Sequence, residues 1–155
     1  MNRPTRRAPQ AASVATQVQE TGATKYAINM AALAASGRDT SFVIASRLCG
    51  RCAACMKHSA SDGPIWSRSA QDLMKQIAAS CSREPAYLLP GTPISEAVFR
   101  LMLASNNRPM TVQEVQGGLT QAWASVIYLK NLSDDVVQRM LSQPNEYFIG
   151  AVEQA

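Results

Sequence analysis

Histidine and aromatic side chains are scarce in this sequence. His58 is the only histidine among 155 residues, and Phe, Trp and Tyr together make up 6%. A lone histidine with no nucleophile or orienting carboxylate at recognisable spacing does not build an acid–base site. The glycine-rich phosphate loop, the dinucleotide fingerprint and the nucleophile elbow are missing too, so the chain is not expected to be an enzyme. No stretch approaches the roughly 18 apolar residues of a membrane span. No apolar core of signal-peptide length lies near the start, so neither a membrane partner nor secretion is expected. What remains, 46% hydrophobic residues with few aromatics, suits one or two small helical domains and a mainly α fold.

Cysteines are few but clustered. Three of the four stand in Cys49-Gly50-Arg51-Cys52-Ala53-Ala54-Cys55, His58 follows shortly, and the last is Cys81. Thiolates two residues apart converge on one metal ion when a short loop turns both sulfurs inward. On an ideal helix, at about 100° per residue, positions 49, 52 and 55 drift by about 60° per step and spread over a broad arc. A ligand set therefore calls for a loop over 49–55, which Gly50 permits. Three readings are open: a structural zinc site, an iron–sulfur cluster, or buried thiols that pack as small hydrophobes without metal. Zinc takes four ligands in tetrahedral array, here Cys49, Cys52, Cys81 and one of Cys55 or His58. The second C-x-x-C of paired zinc knuckles is absent. Thiols at ligand spacing read as reduced, which points to a cytoplasmic location.

Charge is unevenly distributed. Residues 1–25 carry Arg3, Arg6, Arg7 and Lys25 against Glu20 alone. Residues 47–83 carry Arg47, Arg51, Lys57, Arg68, Lys75 and Arg83 against Asp62 and Asp72. Residues 84–155 reverse the sign, with seven acids against Arg100, Arg108, Lys130 and Arg139. A nucleic-acid partner is therefore expected at the basic front half, through Arg3, Arg6, Arg7, Arg47, Arg51 and Lys57. A protein partner is expected at the acidic back half.

Organisation follows the punctuation. Residues 1–22 read as a flexible basic tail; their Arg-rich, acid-poor start also resembles an organelle transit peptide. Residues 23–86 read as a helical cysteine-bearing module. Within it a helix is expected over 24–36, ended by Gly37, and a short strand or buried helical turn over 40–48. The next helix is expected to be capped by Ser67, with Ala70, Leu73, Met74, Ile77 and Cys81 on its buried face. Residues 87–91 read as a linker. Beyond it, Thr92 and Pro93 open a helix that Asn106, Asn107 and Pro109 stop. Thr111 and Glu114 form a capping box, and helix is expected to continue over 121–132. Ser133 caps a last helix, whose first-turn Asp134 and Asp135 complement the macrodipole. Tyr147-Phe148-Ile149 reads as a terminal strand.

Two resemblances bear on function. The C-x-x-C-x-x-C run is similar to the first three ligands of bacterial-type ferredoxins, with Cys81 then supplying a fourth, although no Cys-Pro and no second cluster follow. That likeness implies redox or sensor work. Residues 92–155, with their Asn106-Asn107-Arg108-Pro109-Met110 turn, hydroxyl-capped short helix at Thr111 and Phe-containing strand, resemble the winged-helix module of the bacterial RNA polymerase delta subunit. This implies DNA binding or transcription regulation. The helix from Ser133 offers Gln138, Arg139 and Gln143 but starts with two aspartates, so a protein-binding winged helix is the expected variant. The resulting expectation is a non-enzymatic, nucleic-acid-associated regulatory protein with a structural metal site. An assembly subunit of a larger complex is the alternative.

Overall fold

The computed structural model describes residues 23–58, 63–124 and 132–153. Among them are seven α-helices and one antiparallel pair of short strands, so the expected mainly α fold forms. The chain enters through β1 (Tyr26–Ile28), where a helix is expected from 24, and α1 (Met30–Ala35) starts only afterwards. Asn29 sets this boundary: its side chain accepts the Ala32 N–H at 3.0 Å and caps α1, while the residues before it pair as a strand. The ambiguous 40–48 segment resolves as α2 (Thr40–Ala45), capped by Asp39, which accepts the Phe42 N–H at 3.1 Å. Then comes α3 (Gly50–His58), a helix where a ligand loop is expected. A 3-10 turn (Ile65–Ser67) precedes α4 (Ala70–Ala79), and Ser69, not Ser67, is its cap. Ser67 instead donates its hydroxyl to the Pro64 carbonyl at 2.6 Å. The expected face of α4 is correct, with Leu73, Met74 and Ile77 buried.

The second half runs closer to expectation. α5 (Ile94–Ala104) begins after Pro93, but Thr92 makes no cap; its hydroxyl donates to the Leu89 carbonyl. α6 (Val112–Ala122) opens with the full Thr111–Glu114 capping box. Trp123 closes it, and residues 125–131 of the expected continuation, with Val126 and Ile127, lie outside the described residues. α7 (Asp134–Ser142) is capped by Ser133 and followed by β2 (Ile149–Ala151), two residues later than the expected strand. No helix among the described residues is long and apolar enough to cross a membrane.

The strands join the two ends of the described chain. β1 and β2 are antiparallel, with Tyr26 opposite Ala151 and Ile28 opposite Ile149. Two asparagine amides then act as strand residues. On the other edge of β1, Tyr26 bridges Met110 and the Asn107 side chain pairs with Ile28, accepting its N–H at 2.8 Å and donating to its carbonyl at 2.9 Å. On the outer edge of β2, Asn145 accepts the Ile149 N–H at 3.0 Å and donates to its carbonyl at 2.8 Å. These backbone groups would otherwise be unsatisfied or open to edge pairing.

One cluster of buried side chains runs from Tyr26 to Ile149 and includes Leu33, Ile44, Leu73, Phe99, Leu119 and Leu141. α4 packs on both α2 and α5, while α6 packs on α5 and α7. Tyr87, in the expected linker, is buried; its hydroxyl donates to the Arg100 carbonyl at 2.7 Å, and Arg100 donates back to the Tyr87 carbonyl at 2.9 Å. The packing of α4 on α5 and this pair hold the turn after α4 in a fixed place, and one of the cysteines sits there.

Candidate metal centre

Cys49 stands at the N-cap position of α3. Its carbonyl accepts the Ala53 N–H at 2.9 Å, the first helical bond, and its sulfur accepts the Cys52 N–H at 3.5 Å. Cys52, three residues on, therefore lies on the same side of the helix start. Cys81 comes from a 3-10 turn (Cys81–Arg83), where the chain tightens after α4. The Cys49 N–H donates to the Cys81 sulfur at 3.1 Å, and Gln76 Nε2 of α4 donates to the Cys52 sulfur at 3.3 Å. The three Sγ atoms lie within 4.8 Å of one another. Thiolates on one tetrahedral zinc, at about 2.3 Å, stand about 3.8 Å apart. A small contraction closes that difference, so these three cysteines could hold a metal ion.

This geometry corrects the loop requirement. A helix spreads three ligands over an arc but tolerates two when they bracket its N-terminus and a second element supplies the third. Cys55, one turn further along α3, is exposed and stands outside the trio. It shares a cleft of about 310 Å³ with Cys52, Gln76, Arg83 and Glu84. His58 closes α3, and its side chain lies outside the described residues. Of the expected ligands the fold brings together Cys49, Cys52 and Cys81.

The sulfurs differ in their electrostatics. Burial opposes ionisation of Cys49, yet the Cys52 N–H and the thiols of Cys81 and Cys52 outweigh it and hold its pKa below the ordinary thiol value. Cys81, with no exposed surface, is pushed up to about 12, chiefly by burial. Metal binding would displace that proton, since a coordinated thiol is deprotonated. Backbone and amide N–H groups aimed at sulfur are the donors that orient and stabilise metal-bound thiolates.

Charged groups surround the trio. Cys49 opens onto a cleft of about 350 Å³ whose lining includes Arg47, Arg51, Glu84, Tyr87 and Arg100. Of the expected phosphate contacts, Arg51 is exposed, 3.4 Å from Glu84. Arg47 is built into the fold. It grips Glu96 with Nε at 3.1 Å and Nη2 at 3.0 Å, donates to the Val43 carbonyl at 2.8 Å and lies over the Phe99 ring. Glu96 also accepts from Arg100 Nε at 2.8 Å. Burial raises the Glu96 pKa, but hydrogen bonds from Arg47, Tyr147 and Arg100 prevail and hold it below the usual carboxylate range. Arg3, Arg6 and Arg7 and the Lys57 side chain lie outside the described residues. On α7, Gln138 is engaged by the Tyr26 hydroxyl at 2.8 Å and by Ser142.

Sequence reasoning missed Gln76 and the Glu96 hub. The Glu96–Arg100 spacing of four residues on a helix is a legible ion-pair signal. Gln76 shows its role only once α4 and α3 are side by side. No protein-family model, curated protein or solved structure matches this chain.

Proposed function

We propose that the chain is a non-enzymatic regulatory module associated with nucleic acid. In this reading one zinc ion, held by Cys49, Cys52, Cys81 and a fourth ligand from Cys55 or His58, staples α3 to the turn after α4. The convergence of three sulfurs within 4.8 Å carries the reading. Zinc is preferred over an iron–sulfur cluster because a cluster distributes its thiolates over several irons, whereas sulfurs this close suit a single ion. The ion would be structural, since metal binding to a folded site is also folding free energy.

The basic segments 1–25 and 47–83 would attract a polyanion, with Arg51 and Arg83 exposed beside the cysteines. The acid-rich remainder would meet protein. Two measurements test the parts separately. Chain purified without oxygen should contain one zinc per molecule, and Cys52→Ser should lose it; stoichiometric metal absent from such preparations overturns the metal reading. Binding to arbitrary duplex DNA should weaken steeply with salt, as released counterions require, and Arg51→Glu should weaken it at all sequences alike. No DNA binding at physiological salt removes the nucleic-acid part.

A further inference from the structure

The three sulfurs are unequally reachable. Cys49 is half-buried at the mouth of its cleft, whereas Cys52 is 5% exposed and Cys81 is fully buried. The two residues of C-x-x-C at a helix start have Cα atoms about 5 Å apart, inside the roughly 4.4–6.8 Å that a disulfide accepts. Resting on the metal reading above, we infer that Cys49 and Cys52 form an oxidant-sensitive latch: hydrogen peroxide closes them into a disulfide, and the ion is lost.

The chemistry balances. The Cys49 thiolate attacks one peroxide oxygen, an S–O bond forms, the O–O bond breaks, and the departing hydroxide takes a proton to become water. The Cys52 thiolate then attacks the Cys49 sulfur, the S–S bond forms, and the S–O bond breaks with loss of a second hydroxide, also protonated. Two thiolates lose two electrons, and the peroxide gains them and yields two waters. With Cys49 and Cys52 joined, only Cys81 and the fourth ligand would remain to hold an ion, too few to retain it. Cys81 is the poorer partner for Cys49, because it sits on a separate turn, whereas Cys52 follows Cys49 in the first turn of the same helix.

The test uses the full chain loaded with zinc, freed of excess, and assayed for retained zinc before any oxidant is added. Hydrogen peroxide is then titrated in, zinc release is followed with a chromogenic chelator, and disulfides are mapped by mass spectrometry of peptides. The expected result is one zinc released per Cys49–Cys52 disulfide, with dithiothreitol restoring binding. Zinc that stays bound while peroxide is consumed, a disulfide to Cys81, or oxidation that passes to the sulfinic acid without a disulfide would each overturn the latch. The metal-free reduced chain is mapped in parallel. A chain that retains no zinc but closes Cys49–Cys52 would sink the metal reading while leaving the dithiol chemistry standing. A chain that holds zinc but does not close the pair would do the reverse.

Discussion

Replacing Asn107 by alanine removes both hydrogen bonds through which its amide extends the sheet along Ile28, at 2.8 and 2.9 Å. Each neutral bond contributes about 0.5–1.5 kcal/mol. Asn107 also sits at φ 55°, a left-handed conformation that costs an alanine about 1–2 kcal/mol and that asparagine visits more readily. Asn107→Ala should therefore cost about 2–4 kcal/mol, a fall in melting temperature on the order of 10 °C for a chain this size. Asn107→Gly loses the same bonds but meets no steric penalty at positive φ, so it should fall between wild type and alanine despite its added backbone entropy. Asn107→Asp keeps the acceptor for the Ile28 N–H but sets a carboxylate oxygen against the Ile28 carbonyl, and should also melt early. Urea unfolding followed by far-ultraviolet circular dichroism, at fixed metal content, ranks the series. If Asn107→Gly unfolds with wild type, the amide bonds contribute nothing. If alanine and glycine coincide, the left-handed backbone is not the reason asparagine is needed.

Further tests address helix packing, pH dependence and the thiols. Gly117→Ala meets open space and should stabilise α6 by up to about 1 kcal/mol in a thermal melt. Gly118→Ala should gain less, because its Cβ would lie 2.9 Å from a Leu101 methyl that must move. Glu96, with its folded pKa depressed, contributes stability that is present above its unfolded value near pH 4.3 and lost as pH falls through the folded one. Glu96→Gln should flatten the acid limb of stability against pH, and an unchanged limb would show that the hub is not its source. Alkylation of metal-free chain at pH 8 should reach Cys81 last, only as the fold opens, since the thiolate is the reactive form and burial disfavours it there. A strong chelator should lower the melting temperature of wild type but leave Cys52→Ser, already low, where it is.

The elements legible in advance are those whose boundary is written in side chains that act locally. The Thr111–Glu114 box, the Ser133 cap and the α4 stripe each need only residues within one or two turns, and all form as expected. The misplacements share a cause in distant partners. Tyr26 reads as the start of a helix face because its spacing to Met30 and Leu33 fits, but its backbone is claimed by Met110 and its neighbours by β2. Nothing within 20 residues of Tyr26 reveals those partners. Thr92 fails as a cap for a different reason: a hydroxyl bond to Leu89 competes with capping, and local competition of this kind is what makes Ser and Thr ambiguous at helix starts.

The site divides along the same line. The expectation that positions 49, 52 and 55 on one helix spread over a broad arc holds for Cys55, which stands outside the trio. It fails for Cys49 and Cys52 because the helix begins between them, so the first sulfur is placed by a cap and not by helical rotation. An N-cap side chain reaches back over the first turn to accept a backbone N–H, and here that geometry turns the Cys49 sulfur toward Cys52. Cys81 extends the α4 stripe in sequence, and its burial follows from that spacing. Its approach to Cys49 depends on α4 leaving its helix at Ser80 and tightening into a 3-10 turn. An added residue between Ser80 and Cys81 would carry the sulfur around that turn and away from the pair, while leaving the α4 stripe intact. Such an insertion should abolish metal retention yet preserve most of the helical signal in circular dichroism. Retention of stoichiometric metal by that variant would mean that Cys81 is packing against the centre and not binding it.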